Sequence, residues 1–242
     1  MSGLADPYLK LNWAKRHLEA LDAELEAFHK TNPCRLSHKD DIEGNRHLLV
    51  VELPDIPDPI SLMCGDAFYC MRSCLDQLVW RLAKITAPIP GKTQFPIFDR
   101  WGKDEERSFA NCLSGVPGDA ISIIRELQPA SGSAPKETHL LWRLNAMCNL
   151  DKHRRIPANG CEVMIHLPNA RPGAVGMETL ENGAVLSVPL ARKRELDLYP
   201  EISFQVIFGD VTGGVRVGPR DVRDIYQFIS DRVLPRFVPF FA

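Results

Sequence analysis

The chain has 242 residues, with 29 lysines and arginines against 31 aspartates and glutamates and a formal net charge of -2. Hydrophobic residues make up 45% and charged residues 25%, which excludes a disordered chain, a fibrous repeat and a nucleic-acid binder working through bulk positive charge. The length suits one large domain or two small ones, with enough chain to bury a real core.

Asp6 and Pro7 follow the first five residues with no apolar stretch before them, so no signal peptide is expected. Uninterrupted apolar runs fall short of the roughly 18 residues that a membrane span needs, so the expectation is a cytoplasmic protein with no membrane contact. Cys34, Cys64, Cys70, Cys74, Cys112, Cys148 and Cys161 are odd in number and irregularly spaced, which favours reduced thiols. Cys70 and Cys74 stand one helical turn apart, but no CxxC or HxxxH pair supplies further ligands. No metal and no cofactor are therefore expected.

Residues 7–30 place Leu9, Trp13, Leu18, Leu21, Leu25 and Phe28 at helical spacing between charges, which predicts an amphipathic helix ended by Asn32-Pro33. Residues 34–53 read as two strands around a turn at Glu43-Gly44-Asn45. A second long helix is expected from about Asp58 to Ala87, closed by a loop or extended edge carrying Pro88, Pro90 and Pro96. Shorter helices are predicted over 104–113 and from Pro117 to before Pro129. Ser131 to Pro135 connects to a third long helix, from Lys136 to Arg155, that Pro157 ends.

Beyond Asn159-Gly160 the texture changes to short strand-like runs, with hairpin signals at Glu181-Asn182-Gly183 and Thr212-Gly213-Gly214. The final helix starts with proline and sets Val222, Ile225, Phe228, Ile229 and Val233 on one face. The apolar tail LPRFVPFFA is expected to dock on the protein or on a second subunit, and a homodimer fits that expectation. Together these elements predict one α+β domain, 1–242, in which a helical bundle packs against a mainly antiparallel β-sheet. The bundle occupies about 1–157 with a β-hairpin inserted near 34–53, the strands about 160–218, and the last helix about 219–234.

Two helices concentrate the chemistry. At 100° per residue, Cys64, Phe68, Met71, Leu75, Leu78, Val79 and Leu82 form a core stripe, with Asp66, Tyr69, Ser73, Gln77, Trp80 and Lys84 on the opposite side. Arg72 and Asp76, four apart, are placed to pair. This second face either packs beneath another layer or lines a cleft.

On the later helix Leu140, Leu141, Leu144, Met147 and Cys148 form the stripe, and continued geometry puts Asp151 on it. An apolar face penalises a carboxylate unless it is paired, so Asp151 either ties down Arg72 or Arg143, or orients His153. Lys152 and Arg154 would then bind an anion such as a phosphate, with Asn149 nearby on the opposite side. The cations of this last turn also complement the helix dipole.

The stretches GDAFYCMRSCLDQLVWRLA and LWRLNAMCNLDKHRRIP resemble a family of uncharacterised bacterial cytosolic proteins with GD…LRSALDHLVWxLA-like and LxxLxxxDKHR-like helices. The likeness extends over most of the chain and implies a fold and a bacterial source rather than an activity. A more distant resemblance is to the HEPN superfamily of helical-bundle ribonucleases and nucleotide-transfer partners, whose hallmark is an Arg followed four to six residues later by a His. Arg72 takes the Arg position, but Gln77 stands where the histidine belongs and cannot act as a general base. Ser73 replaces the polar Asn, Asp or His usual beside that Arg.

Signatures for phosphate loops, dinucleotide binding, serine hydrolases and zincins are absent from the sequence. The seven histidines share no i,i+4 spacing. The runs KHRR at 152–155 and RKR at 192–194, with Arg216, Arg220 and Arg223, read as solvated surface or as one local basic patch.

The leading expectation is a non-catalytic binding or regulatory protein. The alternative is a HEPN-like ribonuclease or nucleotide-processing enzyme using Arg72, Asp76, Asp151 and His153 on an RNA or another phosphate-bearing ligand. A third is a small-molecule pocket lined by Tyr69, Trp80 and Trp142.

Overall fold

The computed structural model describes residues 3–52, 55–86, 93–153, 156, 158–166, 176–180, 183–195, 201–209 and 214–242. The fold is α+β. Helices α1 (Ala5–Lys30), α2 (Asp58–Ala83), α3 (Lys103–Cys112), α4 (Gly118–Glu126), α5 (Leu140–His153) and α6 (Pro219–Phe228) enclose the core. Strands β1 (Arg35–Asp41), β2 (Arg46–Glu52), β3 (Ala158–His166), β4 (Gly176–Leu180), β5 (Gly183–Pro189), β6 (Glu201–Gly209) and β7 (Arg216–Val217) build the sheets.

Helix α1 buries Leu11, Ala14, Leu18, Leu21, Leu25 and Phe28 against α2. The expected stripe began instead at Leu9 and Trp13, which are 68% and 48% exposed. Counting back from Leu18 in steps of four and three lands on Ala14 and Leu11, and the small Ala14 lets the two helices approach closely. The helices run antiparallel, tied by Asp6 with Arg81 and, at 3.8 Å, by His17 with Asp66. Asn32, with φ at 48°, supplies the left-handed residue that ends α1.

The core stripe of α2 is as expected: Cys64, Phe68, Met71, Leu75, Leu78, Val79 and Leu82 are all fully buried. Each of the larger side chains contributes about 1.5–3 kcal/mol of transfer free energy. The expected long helix from Lys136 to Arg155 is broken. A 3₁₀ turn covers Lys136–Thr138, His139 is extended, and α5 starts at Leu140 with the His139 imidazole accepting the Leu141 N–H at 3.2 Å. Propensity runs straight through this point; the cap interrupts it. Pro157 lies outside the described residues.

All described pairings are antiparallel, and they form two sheets rather than one. The four-stranded sheet has the order β1-β2-β5-β4 and the three-stranded sheet β3-β6-β7. The early hairpin is therefore not a self-contained insertion: β2 pairs with β5, with Leu49 opposite Leu186 and His47 opposite Val188. His47, Leu49, Val51, Leu186 and Val188 are buried on that sheet. His47 bonds the Asp40 carboxylate through Nδ1 and meets His38 Nδ1 through Nε2 at 3.1 Å, while Lys193 reaches the same carboxylate at 2.9 Å. Of the predicted hairpin turns, Glu43-Gly44-Asn45 is seen, with Asn45 at φ 49°, whereas residues 181–182 and 212–213 lie outside the described residues.

Helix α6 buries Val222 and Ile225, continues through a π turn over Ile229–Val233, and ends in 3₁₀ geometry over Leu234–Phe241. The apolar tail docks on its own chain, with Leu234 and Phe237 fully buried and Arg236 paired to Glu126 of α4. Phe228, expected on the buried face, is half-buried. Among the described residues no helix is long and apolar enough to cross a membrane.

Candidate functional site

Two turns of α2, the end of α5 and residues Thr93 and Gln94 line a cleft of about 330 Å³. It is lined by Tyr69, Arg72, Ser73, Asp76, Thr93, Gln94, Cys148, Asp151 and Lys152. The polar face of α2 thus opens on a cleft and is not covered by a second layer at Tyr69, which is exposed.

Arg72 and Asp76, one turn apart, pair at 3.3 Å as expected. They do more than neutralise each other. Arg72 Nη2 donates to the Phe95 carbonyl at 2.7 Å, and the Phe95 N–H donates to Asp76 Oδ1 at 2.9 Å. The two side chains thereby hold both backbone polar groups of Phe95, whose ring is fully buried. Arg72 itself is only 7% exposed, and its Nη1 has no protein acceptor.

The far side of this segment is fixed by Gln128, which is buried and satisfied at both ends. Its Oε1 accepts the Phe98 N–H and its Nε2 donates to the Ile124 carbonyl, each at 2.9 Å. The Gln94 N–H adds a bond to the Cys112 carbonyl at 3.3 Å. The wall formed by 93–95 is consequently anchored to α2, α3 and α4 before any ligand arrives.

Asp151 stands over Gly65 of α2. A Cβ at Gly65 would come within 2.9 Å of Asp151 Oδ1, so glycine is what leaves room for the carboxylate. Asp151 ties down neither of the arginines considered for it: Arg72 is engaged as above, and Arg143 pairs with Asp221 at 2.5 Å and donates to the Glu137 carbonyl at 2.7 Å. Helix α5 ends two residues later, so the apolar stripe runs out before Asp151 is enclosed and the carboxylate stays partly exposed.

Both cleft carboxyls are held above their ordinary range. For Asp76 burial is the main cause, opposed by Arg72, by the Phe95 N–H and by Lys152. For Asp151 burial leads and the nearby charge of Asp66 adds to it, opposed by a bond from the Ile156 backbone. Burial pushes the Cys148 thiol up to about 12, against the opposing charges of Arg72 and Lys152. Its hydrogen faces the Phe68 carbonyl at 3.5 Å, and it is an inert wall rather than a nucleophile.

Of the twelve residues singled out in the sequence, the cleft therefore gathers Arg72, Asp76, Asp151, Tyr69, Ser73 and Lys152. Four others lie elsewhere. Asp66 sits outside it beside His17, and Trp80 is flanked by Arg81 and Lys84. Asn149 is exposed, and Gln77 is half-buried with its Oε1 unbonded. His153 is the last residue of α5 and its side chain is outside what the structure describes, as is Arg154 altogether.

Trp142 packs near Lys136, so of the three aromatics proposed for a pocket only Tyr69 lines this one. Thr93, Gln94 and Cys148 were not foreseen. The helical spacing places Cys148 on the core stripe, and nothing in the local pattern marks Thr93 or Gln94.

Within the basic runs Lys193 binds Asp40 and Arg223 binds Asp22, while Arg154 and Arg155 lie outside the described residues. Among the described residues no three metal-ligating side chains are grouped to hold an ion. No protein-family model, no curated protein and no solved structure matches the chain.

Proposed function

We propose that this is a non-catalytic binding or regulatory protein of the bacterial cytosol whose ligand, a small molecule with an anionic group, enters the cleft between α2, α5 and residues 93–95. The observation that carries this is the engagement of Arg72 and Asp76 with the two backbone groups of Phe95. The best catalytic candidates are committed to shaping a wall. Lys152, which lines the cleft and has no ion pair among the described residues, remains to receive an anion, with the Arg72 side chain beside it.

A second reading, a HEPN-like ribonuclease, draws on the two carboxyls with raised proton affinity in one cleft, the arrangement general acid–base chemistry uses. Two assays separate the readings. Calorimetric titration with ethyl phosphate should show saturable binding that weakens in Lys152→Met. Incubation with a single-stranded RNA should leave it intact for wild type and Asp151→Asn alike. RNA cleavage by wild type that disappears in Asp151→Asn would overturn the binding reading in favour of the nuclease.

A further inference from the structure

The cleft is electrostatically divided. Its charged groups are Arg72, Lys152, Asp76 and Asp151, two of each sign. Arg72 and Asp76 cancel each other across 3.3 Å. Lys152 and Asp151 do not: as consecutive residues of a helix they point about 100° apart, and neither forms an ion pair among the described residues.

Their surroundings separate them further. The positive charges of Arg72 and Lys152 both act on Asp76, which sets Lys152 on the Arg72 side, while Cys148 feels Arg72, Lys152, Asp151 and Asp76 alike. Asp151 stands over Gly65, where the negative charge of Asp66 reaches it. One side of the cleft therefore carries Lys152 and the buried Arg72, and the other side the Asp151 carboxylate.

A purely anionic ligand would gain at Lys152 and lose at Asp151, and a purely cationic one the reverse. We infer that the ligand is a small zwitterion, its anionic group seated against Lys152 and Arg72 and its ammonium group against Asp151. This rests on the cleft being a binding site for an anionic group, as proposed above, and specifies the rest of the ligand. A volume of about 330 Å³ suits a metabolite-sized molecule. The anionic group is a phosphate or a carboxylate, which share the same charge-assisted bonds to ammonium and guanidinium groups.

The test is calorimetric titration of the full chain with two matched pairs of probes: O-phosphoethanolamine with ethyl phosphate, and β-alanine with propionate. At least one zwitterion should bind about tenfold tighter than its amine-free counterpart, and which pair responds tells phosphate from carboxylate. In Asp151→Asn, an isosteric change at a partly exposed site, the two members of that pair should bind alike. In Lys152→Met both should weaken.

Equal or tighter binding of the amine-free probe to wild type would overturn the zwitterion while leaving an anion site standing. A zwitterion preference that survives in Asp151→Asn would overturn the assignment of the ammonium site. No binding by any of the four probes would overturn the anion site itself, and this inference with it.

Discussion

Replacing Arg72 by methionine keeps most of the buried stem and removes the guanidinium. Two interactions go with it: the 2.7 Å bond to the Phe95 carbonyl and the 3.3 Å pairing with Asp76. A buried carbonyl deprived of a charged donor costs about 1–3 kcal/mol. The Asp76 side chain is 36% exposed, so water compensates part of its loss and adds only about 1 kcal/mol. The expected destabilisation at neutral pH is therefore about 2–4 kcal/mol.

The deficit should also depend on pH. Asp76 already binds its proton more tightly in the folded chain than in the unfolded one, and loss of Arg72, which opposes that, strengthens the difference. A carboxyl raised on folding loses stability as pH climbs through the gap between its unfolded and folded values. The variant should accordingly be worst at neutral pH and recover relative to wild type in mild acid. Urea unfolding followed by tryptophan fluorescence and far-ultraviolet dichroism, at both pH values, measures this. A loss below about 0.5 kcal/mol, or one independent of pH, would refute the view that Arg72 and Asp76 jointly hold residues 93–95.

Asp151→Asn should raise stability slightly at neutral pH, by less than about 1 kcal/mol because the side chain is partly exposed, since the raised carboxyl is disfavoured when ionised. The gain should vanish in acid, and urea midpoints at two pH values would show it. Asp40 behaves oppositely: its bond to His47, then its bond to Lys193, holds its carboxyl below the ordinary range. Wild type should lose that stabilisation as pH falls through the lowered value, and thermal melts of Asp40→Asn should lack this acid-side loss. Gly65→Ala should leave stability nearly unchanged, because about 0.5–1 kcal/mol of helix propensity offsets the displacement of Asp151. It should still weaken binding in the cleft, a split that paired melts and titrations detect. Gln128→Leu leaves the part-buried Phe98 N–H without its acceptor and should cost about 1 kcal/mol in urea titrations.

Much of this architecture was legible from periodicity. The α2 stripe from Cys64 to Leu82, the Glu43-Gly44-Asn45 turn and the proline-led start of α6 follow from spacing and turn chemistry alone. The errors arise where distant residues decide. Leu9 and Trp13 are large and helically spaced, yet Leu11 and the small Ala14 face α2 because helix approach, not side-chain size, selects the seam. The break at His139 depends on one imidazole acting as a cap. Pairing of β2 with β5 joins residues more than 130 positions apart, which no local signal specifies.

The site divides in the same way. The i,i+4 pairing of Arg72 with Asp76 was readable, but its target was not. The Phe95 backbone, and Thr93 and Gln94 with it, reach the cleft only through anchors on α2, α3 and α4. Gly65 and Asp151 lie 86 positions apart, and only packing of α5 on α2 brings the carboxylate over the glycine.

A ¹⁵N–¹H correlation spectrum recorded during titration with O-phosphoethanolamine locates the ligand without any substitution. If the cleft is the binding site, saturable shifts should concentrate on the amides of Thr93, Gln94 and Phe95 and on those of residues 149–152. Saturable shifts that leave these amides unmoved and gather elsewhere, such as on the strands carrying His38 and His47, would contradict it.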